Sequence, residues 1–154
     1  MKKTVKTSVI INVYNVLSGA KYGAMSDADK IKLFKISRKL KPIAQQFEED
    51  SRDCAEKMKP TEDFTDRLRR WQEYNQLKSN NQPTIDIMTN AEHDAFTEEW
   101  NKYNELVGKA MKEYADKEVN VDFEPISEDA LVKLMESNEW TLGHVAIVGD
   151  FICE

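Results

Sequence analysis

Two long stretches of helical periodicity constrain the fold of this chain more than any other feature. The first covers Asp27–Met58 and the second covers Ala91–Lys117. In each stretch, apolar residues recur at spacings of three and four, which places their side chains on one face of a helix. Segments of similar length with complementary apolar faces most simply fold back on each other. The sequence therefore predicts a mainly α fold: a long antiparallel helical hairpin with shorter flanking helices and one or two short strands.

The first long helix has recognisable start and stop signals. Ser26 can accept a hydrogen bond from the first-turn amides, and Pro60 follows the last turn. Pro42 lies inside the helix, where it removes one backbone hydrogen bond and is expected to bend the helix. The apolar stripe is close to a coiled-coil seam and consists of Leu33, Ile36, Leu40, Ile43, Phe47, Ser51, Cys54 and Met58.

The second long helix is predicted to begin with Asn90 as its cap. Its stripe consists of Phe96, Trp100, Tyr103, Val107, Ala110 and Tyr114. Gly108 weakens the helix by about 1 kcal/mol relative to Ala, and a glycine there would let another backbone come close. If the two stripes face each other in an antiparallel hairpin, Ile43 is expected near Tyr103.

Shorter elements surround the hairpin. Ser8 can cap a short helix, although the β-branched residues that follow also permit a strand. Phe64, Leu68 and Trp71 recur at helical spacing. Thr84–Met88 alternates weakly and could form one short strand.

The C-terminal third has three further elements. Glu118–Pro125 alternates clearly between apolar and polar residues, which indicates a strand. Ser127 opens another helix. Residues 141–153 fit either a helix capped by Thr141 or a buried strand.

Length and charge set further bounds. The chain has 154 residues, which predicts a single helical domain over 1–154. Its net charge is −6, but Met1–Ile85 has 17 basic and 11 acidic residues, whereas Asp86–Glu154 has 5 and 17. Such an asymmetry can mark a partner surface. The favoured interpretation is that the two parts attract each other within one fold.

The cellular setting is expected to be the cytoplasm. Cys54 and Cys153 form no CxxC motif, and a long chain with two cysteines does not resemble a disulfide scaffold. The basic start is followed by an apolar run, but Asn12 and Asn15 interrupt it and no cleavage site follows. No segment approaches the roughly 20 apolar residues that a membrane span needs.

No motif with a recognisable chemistry is present, so we expect no catalytic residue, no metal site and no cofactor. Neighbouring residues on a helix point in different directions, so Glu92, His93 and Asp94 cannot chelate together. His93 is expected to be solvated and His144 to lie at the edge of the core. Cys54 is expected to be a buried structural thiol.

Two groups of cations remain candidates for a surface. The stretch Lys30–Lys41 contains six basic residues and no acid. It is either solvated, covered by the acidic C-terminal third, or a phosphate-binding face. Arg67, Arg69, Arg70 and Trp71 are the second group. The arginines either offset the acidic end of the hairpin, near Glu48 and Glu98, or form an interaction surface with Trp71.

The order of elements resembles a family of small phage and prophage proteins of unassigned function. The resemblance rests on the opening segment Ile11-Asn12-Val13-Tyr14-Asn15-Val16-Leu17, the capped helix through Lys32–Ile43, the strand Glu118-Val119-Asn120-Val121 and the apolar last segment. It covers nearly the whole chain, which departs from the family pattern by a longer middle section at Phe64–Asn81. It implies an accessory or morphogenesis protein without catalytic residues, and it favours a helix for 141–153.

The sequence therefore favours a non-enzymatic, prophage-encoded protein that binds another protein or a second copy of itself. The alternatives are a nucleic-acid-associated regulator that uses Lys30–Lys41 and a small enzyme with a site scattered in sequence. The pI near 5.1 argues against nucleic acid as the partner.

Overall fold

Six helices and one two-stranded sheet form this protein in the computed structural model, which describes all residues from Met1 to Glu154. In chain order the elements are β1 (Lys2–Lys6), α1 (Thr7–Ser18), α2 (Asp27–Lys57), α3 (Phe64–Ser79), α4 (Asn90–Asp116), β2 (Glu118–Asp122), α5 (Glu128–Glu136) and α6 (Leu142–Ile152). The predicted mainly α class is confirmed. Both long helices lie within one residue of their predicted bounds, and the last segment is helical.

The two long helices run antiparallel. Near the end of α2, the carbonyl oxygen of Ala55 accepts a hydrogen bond of 2.6 Å from the hydroxyl of Tyr103 on α4. Earlier on α2, Phe47 and Asp50 line the same surface cavity as Tyr114, which lies later on α4. Residue numbers therefore rise along one helix as they fall along the other, as in the predicted hairpin.

The chain forms two compact units. The first contains Met1–Asp50 and Glu113–Glu154, and the second contains Ser51–Lys112. The first unit is thus assembled from both ends of the sequence, whereas the second is one continuous segment. The single domain over 1–154 stays a prediction.

The sheet of the first unit joins the two ends of the chain. β1 and β2 are antiparallel, with Lys3 opposite Val121 and Val5 opposite Val119. β2 was predicted from its alternation. β1 was not, because Val5 is the one apolar residue in that strand and alternation could not be recognised.

An apolar core holds the first unit together. Helices α1, α2, α5 and α6 each contribute one face to it, as their periodicity predicts. Its most deeply buried members are Ile10, Val13, Leu17, Leu33, Ile36, Leu40, Ile126, Leu134, Val148 and Ile152. Full burial of a side chain of this size contributes about 1.5–3 kcal/mol, so this cluster is the main source of stability in the unit.

Three predicted helix caps are confirmed. The Ser26 hydroxyl accepts from the Asp29 amide at 3.2 Å, and Ser127 accepts from the Ala130 amide at 3.2 Å. Thr141 accepts from the His144 amide at 3.3 Å. Each hydroxyl satisfies an amide that has no partner within its helix.

Two predicted caps are wrong. α1 begins at Thr7, one residue before Ser8, and the amide and hydroxyl of Thr7 both donate to the carbonyl oxygen of Lys117. At α4 the cap is Thr89, which exchanges hydrogen bonds with Glu92. Asn90 instead accepts a hydrogen bond of 2.5 Å from the Tyr74 hydroxyl.

Aromatic side chains of α3 and α4 form the core of the second unit. Their ring centroids lie 4.2–6.2 Å apart, a separation at which aromatic pairs attract each other. The members are Phe64, Trp71, Tyr74, His93, Phe96, Trp100 and Tyr103. Thr84–Met88 forms a turn, so the strand predicted there is wrong. A methyl group added at Gly108 would meet no atom within 4 Å, so the predicted close approach is absent.

None of the six helices combines the length and the apolarity that crossing a bilayer requires.

Candidate interaction surface

A cavity of about 620 Å³ lies beside the basic face of α2 in the first unit. This volume is within the range of roughly 300–1,000 Å³ found for ligand sites. Its lining residues come from α2 and from the segment that follows β2: Lys32, Lys35, Ile36, Arg38, Lys39, Pro42, Phe123 and Glu124. We call it the basic cavity, because four of the eight lining residues are cations.

Two of these cations are held by the end of β2 and the residues that follow it. The ammonium of Lys32 lies 2.8 Å from the carboxylate of Glu124. The ammonium of Lys39 donates a hydrogen bond to the carbonyl oxygen of Asp122. The acidic C-terminal third thus covers part of the basic face, which is one of the three alternatives given for Lys30–Lys41.

The ion pair shifts the pKa values of both partners. The hydrogen bond and the charge of Lys32 hold the pKa of Glu124 below its usual range, and Lys35 adds to this effect. The hydrogen bond and the charge of Glu124 raise the pKa of Lys32. Both shifts favour the charged forms, so the ion pair is favoured at neutral pH.

The other two cations of the cavity have no bonded partner, although the charge of Lys35 acts on Glu124. Lys35 and Arg38 are exposed and take part in no ion pair or hydrogen bond within the chain. They lie three residues apart on α2, so their side chains point to the same side of the helix. Ile36 and Phe123, with 1% and 4% of their surface exposed, close the floor. The exposed part of the wall comes from Pro42 and the aliphatic stems of the cations.

Two large apolar side chains of α2 lie outside the core. Ile31 is 56% exposed and Phe34 is 59% exposed. Ile31 lies three, four and seven residues before Phe34, Lys35 and Arg38, so all four share the outward side of the helix. We call Ile31, Phe34, Lys35 and Arg38 the α2 surface. Neither Ile31 nor Phe34 belongs to the predicted stripe. Their positions off the stripe indicate from the sequence that they lie outside the core.

Arg67 is placed within the second unit as a structural residue. Its guanidinium donates two hydrogen bonds to the carboxylate of Glu99 on α4, at 2.6 and 2.9 Å. A third bond, of 2.8 Å, goes to Thr61. The Nε atom lies 3.3 Å from Asp63, within ion-pair distance but outside hydrogen-bond geometry. The hydrogen bonds to Glu99 raise the pKa of Arg67.

Arg69 and Arg70 have different roles. Arg69 is exposed and pairs with Asp66 and Glu73 on its own helix. Arg70 donates to the carbonyl oxygen of Ile87 at 2.7 Å, which fixes the turn before α4. Of the acids predicted at the start of the second long helix, Glu99 pairs with Arg67, as the neutralising role predicts, whereas Glu92 and Glu98 form no ion pair with any of the three arginines.

Trp71 packs inside the aromatic core. Its ring lies 6.0–6.2 Å from the rings of His93, Phe96 and Trp100. Its indole nitrogen donates to Thr97 at 2.9 Å. Of the four residues predicted as an interaction surface, Arg67, Arg70 and Trp71 therefore hold the second unit together, and Arg69 alone is largely exposed.

The two histidines differ from their predicted surroundings. His93 is packed against Tyr74, with ring centroids 4.2 Å apart, and its Nε2 lies 2.8 Å from Asn75 Oδ1. His144 is exposed, and its Nδ1 accepts from the Thr141 amide at 3.4 Å. The prediction that His93 is solvated is wrong, and so is the prediction that His144 lies at the edge of the core. Both residues lie in the first turn of a helix, where helical periodicity does not determine burial. No group of three metal-ligating side chains occurs in the chain.

The two thiols also differ. Cys54 is half-buried and its sulfur lies 3.6 Å from that of Met58. Cys153 is buried in the core of the first unit, and burial raises the pKa of its thiol.

Comparisons of the chain with protein-family models, with curated proteins and with solved structures gave no match.

Proposed function

We propose that this protein is a non-enzymatic, cytoplasmic accessory or morphogenesis protein, encoded by a phage or prophage, that acts by binding another protein. The α2 surface is the observation that carries the binding role. Exposed aromatic and large aliphatic side chains beside unpaired cations are typical of protein-interaction surfaces, where aromatic residues and arginine are enriched. The resemblance in element order supports the phage setting and the absence of catalysis.

A nucleic-acid partner is the second candidate, because Lys35, Arg38 and Lys41 are exposed and without ion pairs. Three phosphate contacts would give a salt dependence with a slope of about −3 in log K against log salt on duplex DNA. The net charge of −6 opposes this binding at long range. A protein partner uses both the cations and the exposed apolar residues, whereas phosphate contacts use the cations alone.

Partner capture with matched variants tests the proposal. The test variant carries Ile31→Ser and Phe34→Ser, and the control carries Ile85→Ser and Leu106→Ser, two other exposed apolar residues. Tagged proteins are retrieved from cells that carry the encoding genome, and the retained proteins are identified by mass spectrometry. We expect one protein to be enriched by the wild type and by the control but not by the test variant.

Two results would contradict the proposal. Equal retention by all three proteins would show that the α2 surface is not used. Enrichment of nucleic acid that persists in Ile31→Ser/Phe34→Ser and falls steeply with salt would favour the second candidate.

A further inference from the structure

We propose that the basic cavity receives an acidic, partly apolar segment of the partner protein. A carboxylate of that segment binds at Lys35 and Arg38, and a neighbouring apolar side chain rests against Pro42. This assignment rests on the proposed function and names the chemistry of its partner.

Charge complementarity identifies the occupant. Lys35 and Arg38 are the two cations of the cavity without an ion pair or hydrogen bond. A carboxylate is the protein group that pairs best with both, since a guanidinium offers two parallel donors to its oxygens. Two such cations one helical turn apart define a site for one or two acidic side chains.

The chain itself contains an example of the contact. Glu124 enters the cavity wall from the segment after β2, and its carboxylate lies 2.8 Å from the ammonium of Lys32. Phe123, the residue before it, contributes to the floor. An aromatic residue followed by an acid therefore already forms part of the cavity wall. A partner segment of similar chemistry would contact Lys35 and Arg38 in the same way.

The acids at the border of the cavity favour a peptide with separate carboxylates over a nucleic acid as the bound partner. The side chains of Glu124 and Asp122 are 63% and 62% exposed at or beside the cavity. A nucleic-acid backbone has a phosphate at every nucleotide and would bring some of them against these acids, where like charges repel. A peptide can place an apolar or amide residue there instead.

Fluorescence polarisation with defined probes tests this inference. The probe is a labelled peptide in which Glu and Asp flank Leu and Phe. Its counterparts carry amides in place of the acids, Lys in place of the acids, or Ser in place of the apolar residues. A thymidine oligonucleotide of the same net charge is the nucleic-acid probe. We expect the acidic apolar peptide to bind most tightly of the five.

Matched variants locate the binding. Lys35→Glu with Arg38→Glu should weaken binding of the acidic apolar peptide by at least about tenfold, because attraction at two positions becomes repulsion. Arg52→Glu with Lys102→Glu makes the same change in net charge at exposed positions of the second unit and should leave affinity within about twofold. Thermal melts establish that both variants fold.

A second pair of variants leaves charge unchanged. Pro42→Trp places a large ring at the cavity, whereas Pro42→Ala removes the same proline and leaves the space open. Binding should weaken for the tryptophan variant and persist for the alanine variant.

Several outcomes would overturn the inference. These are tighter binding of the oligonucleotide than of the peptide, equal binding of acidic and amide peptides, or equal losses in the two charge-reversal pairs. If the cellular partner depends on Ile31 and Phe34 but is retained by Lys35→Glu/Arg38→Glu, the proposed function stands and the cavity assignment fails.

Discussion

The guanidinium of Arg67 and the carboxylate of Glu99 form a two-point contact between α3 and α4, with hydrogen bonds of 2.6 and 2.9 Å. Only 27% and 30% of the two side chains are exposed, so water screens this pair less than the other pairs of the second unit. The same guanidinium also reaches Thr61, ahead of α3. One side chain thus fixes the start of α3 against the middle of the neighbouring helix.

Arg67→Gln should lower the free energy of unfolding by about 1 kcal/mol, because it removes a two-point ion pair between helices. Arg69→Gln removes pairs that Asp66 and Glu73 form within a single helix, and it should cost no more than about 0.5 kcal/mol. Urea denaturation at low and moderate salt measures both, and the loss at Arg67 should shrink as salt rises. Equal losses in the two variants would contradict this account.

Gly108→Ala should stabilise the protein by about 1 kcal/mol, because alanine restricts the unfolded chain and favours the helix. The site is exposed, lies well inside α4 and leaves an added methyl free of contacts. Gly149→Ala is the comparison, since its added methyl would lie 3.0 Å from Cδ2 of Leu131. Thermal melting should rise for the first variant and rise less, or fall, for the second. A lower melting temperature for Gly108→Ala would show that the glycine is needed.

The two cysteines should react with thiol reagents at different rates. Burial, and to a lesser extent the charge of Glu128, raises the pKa of Cys153 and so lowers its thiolate fraction. Cys54 is the more accessible of the two. Labelling followed by mass spectrometry should show modification at Cys54 first, and Cys54→Ala should remove the fast phase. Faster modification of Cys153 in native protein would contradict its burial.

Glu124→Gln should lower stability near neutral pH and have progressively less effect in acid. The pKa of Glu124 is lowered in the folded protein, so its ionised form stabilises the fold above the pKa of the unfolded chain. That contribution is lost as pH falls through the lowered pKa, where the carboxyl is protonated and the ion pair with Lys32 ends. Chemical denaturation across this range measures the difference from wild type. Glu136→Gln makes the same change at an exposed acid of α5 without an ion pair. A loss from Glu124→Gln that is constant with pH would contradict the role of the charge.

The features predicted from sequence are those that depend on neighbours along the chain. The bounds of α2 and α4 and the caps at Ser26, Ser127 and Thr141 follow from local spacing and local hydrogen bonds. β1 could not be predicted, because its pairing partner β2 is more than a hundred residues away and its own residues are mostly lysine.

The register of the hairpin was not predictable either. Tyr103 was expected near Ile43 but lies opposite Ala55. Ala55 is about three turns further along α2 than Ile43. An apolar stripe that repeats at every turn fits several registers equally well.

The candidate surface was only partly predictable. Lys35 and Arg38 belong to a basic stretch that is visible in the sequence. Their relation to Phe123 and Glu124 depends on the chain returning to α2 through β2. The exposure of Phe34 could be inferred only from its position off the stripe. The roles of Arg67 and Trp71 could not be decided from the sequence. Aromatic and arginine side chains at helical spacing occur both between packed helices and at interaction surfaces.

The division of the first unit between the two ends of the chain bears on how the protein is made. The second unit, Ser51–Lys112, is complete in the nascent chain before β2, α5 and α6 have been synthesised. Until then Ile10, Val13 and Leu33 have no partners from α5 or α6 to pack against. Such distant contacts make folding slow and leave apolar surface open to aggregation meanwhile. The N-terminal segment of the ribosome-bound chain is thus expected to complete its core only after α5 and α6 have been synthesised.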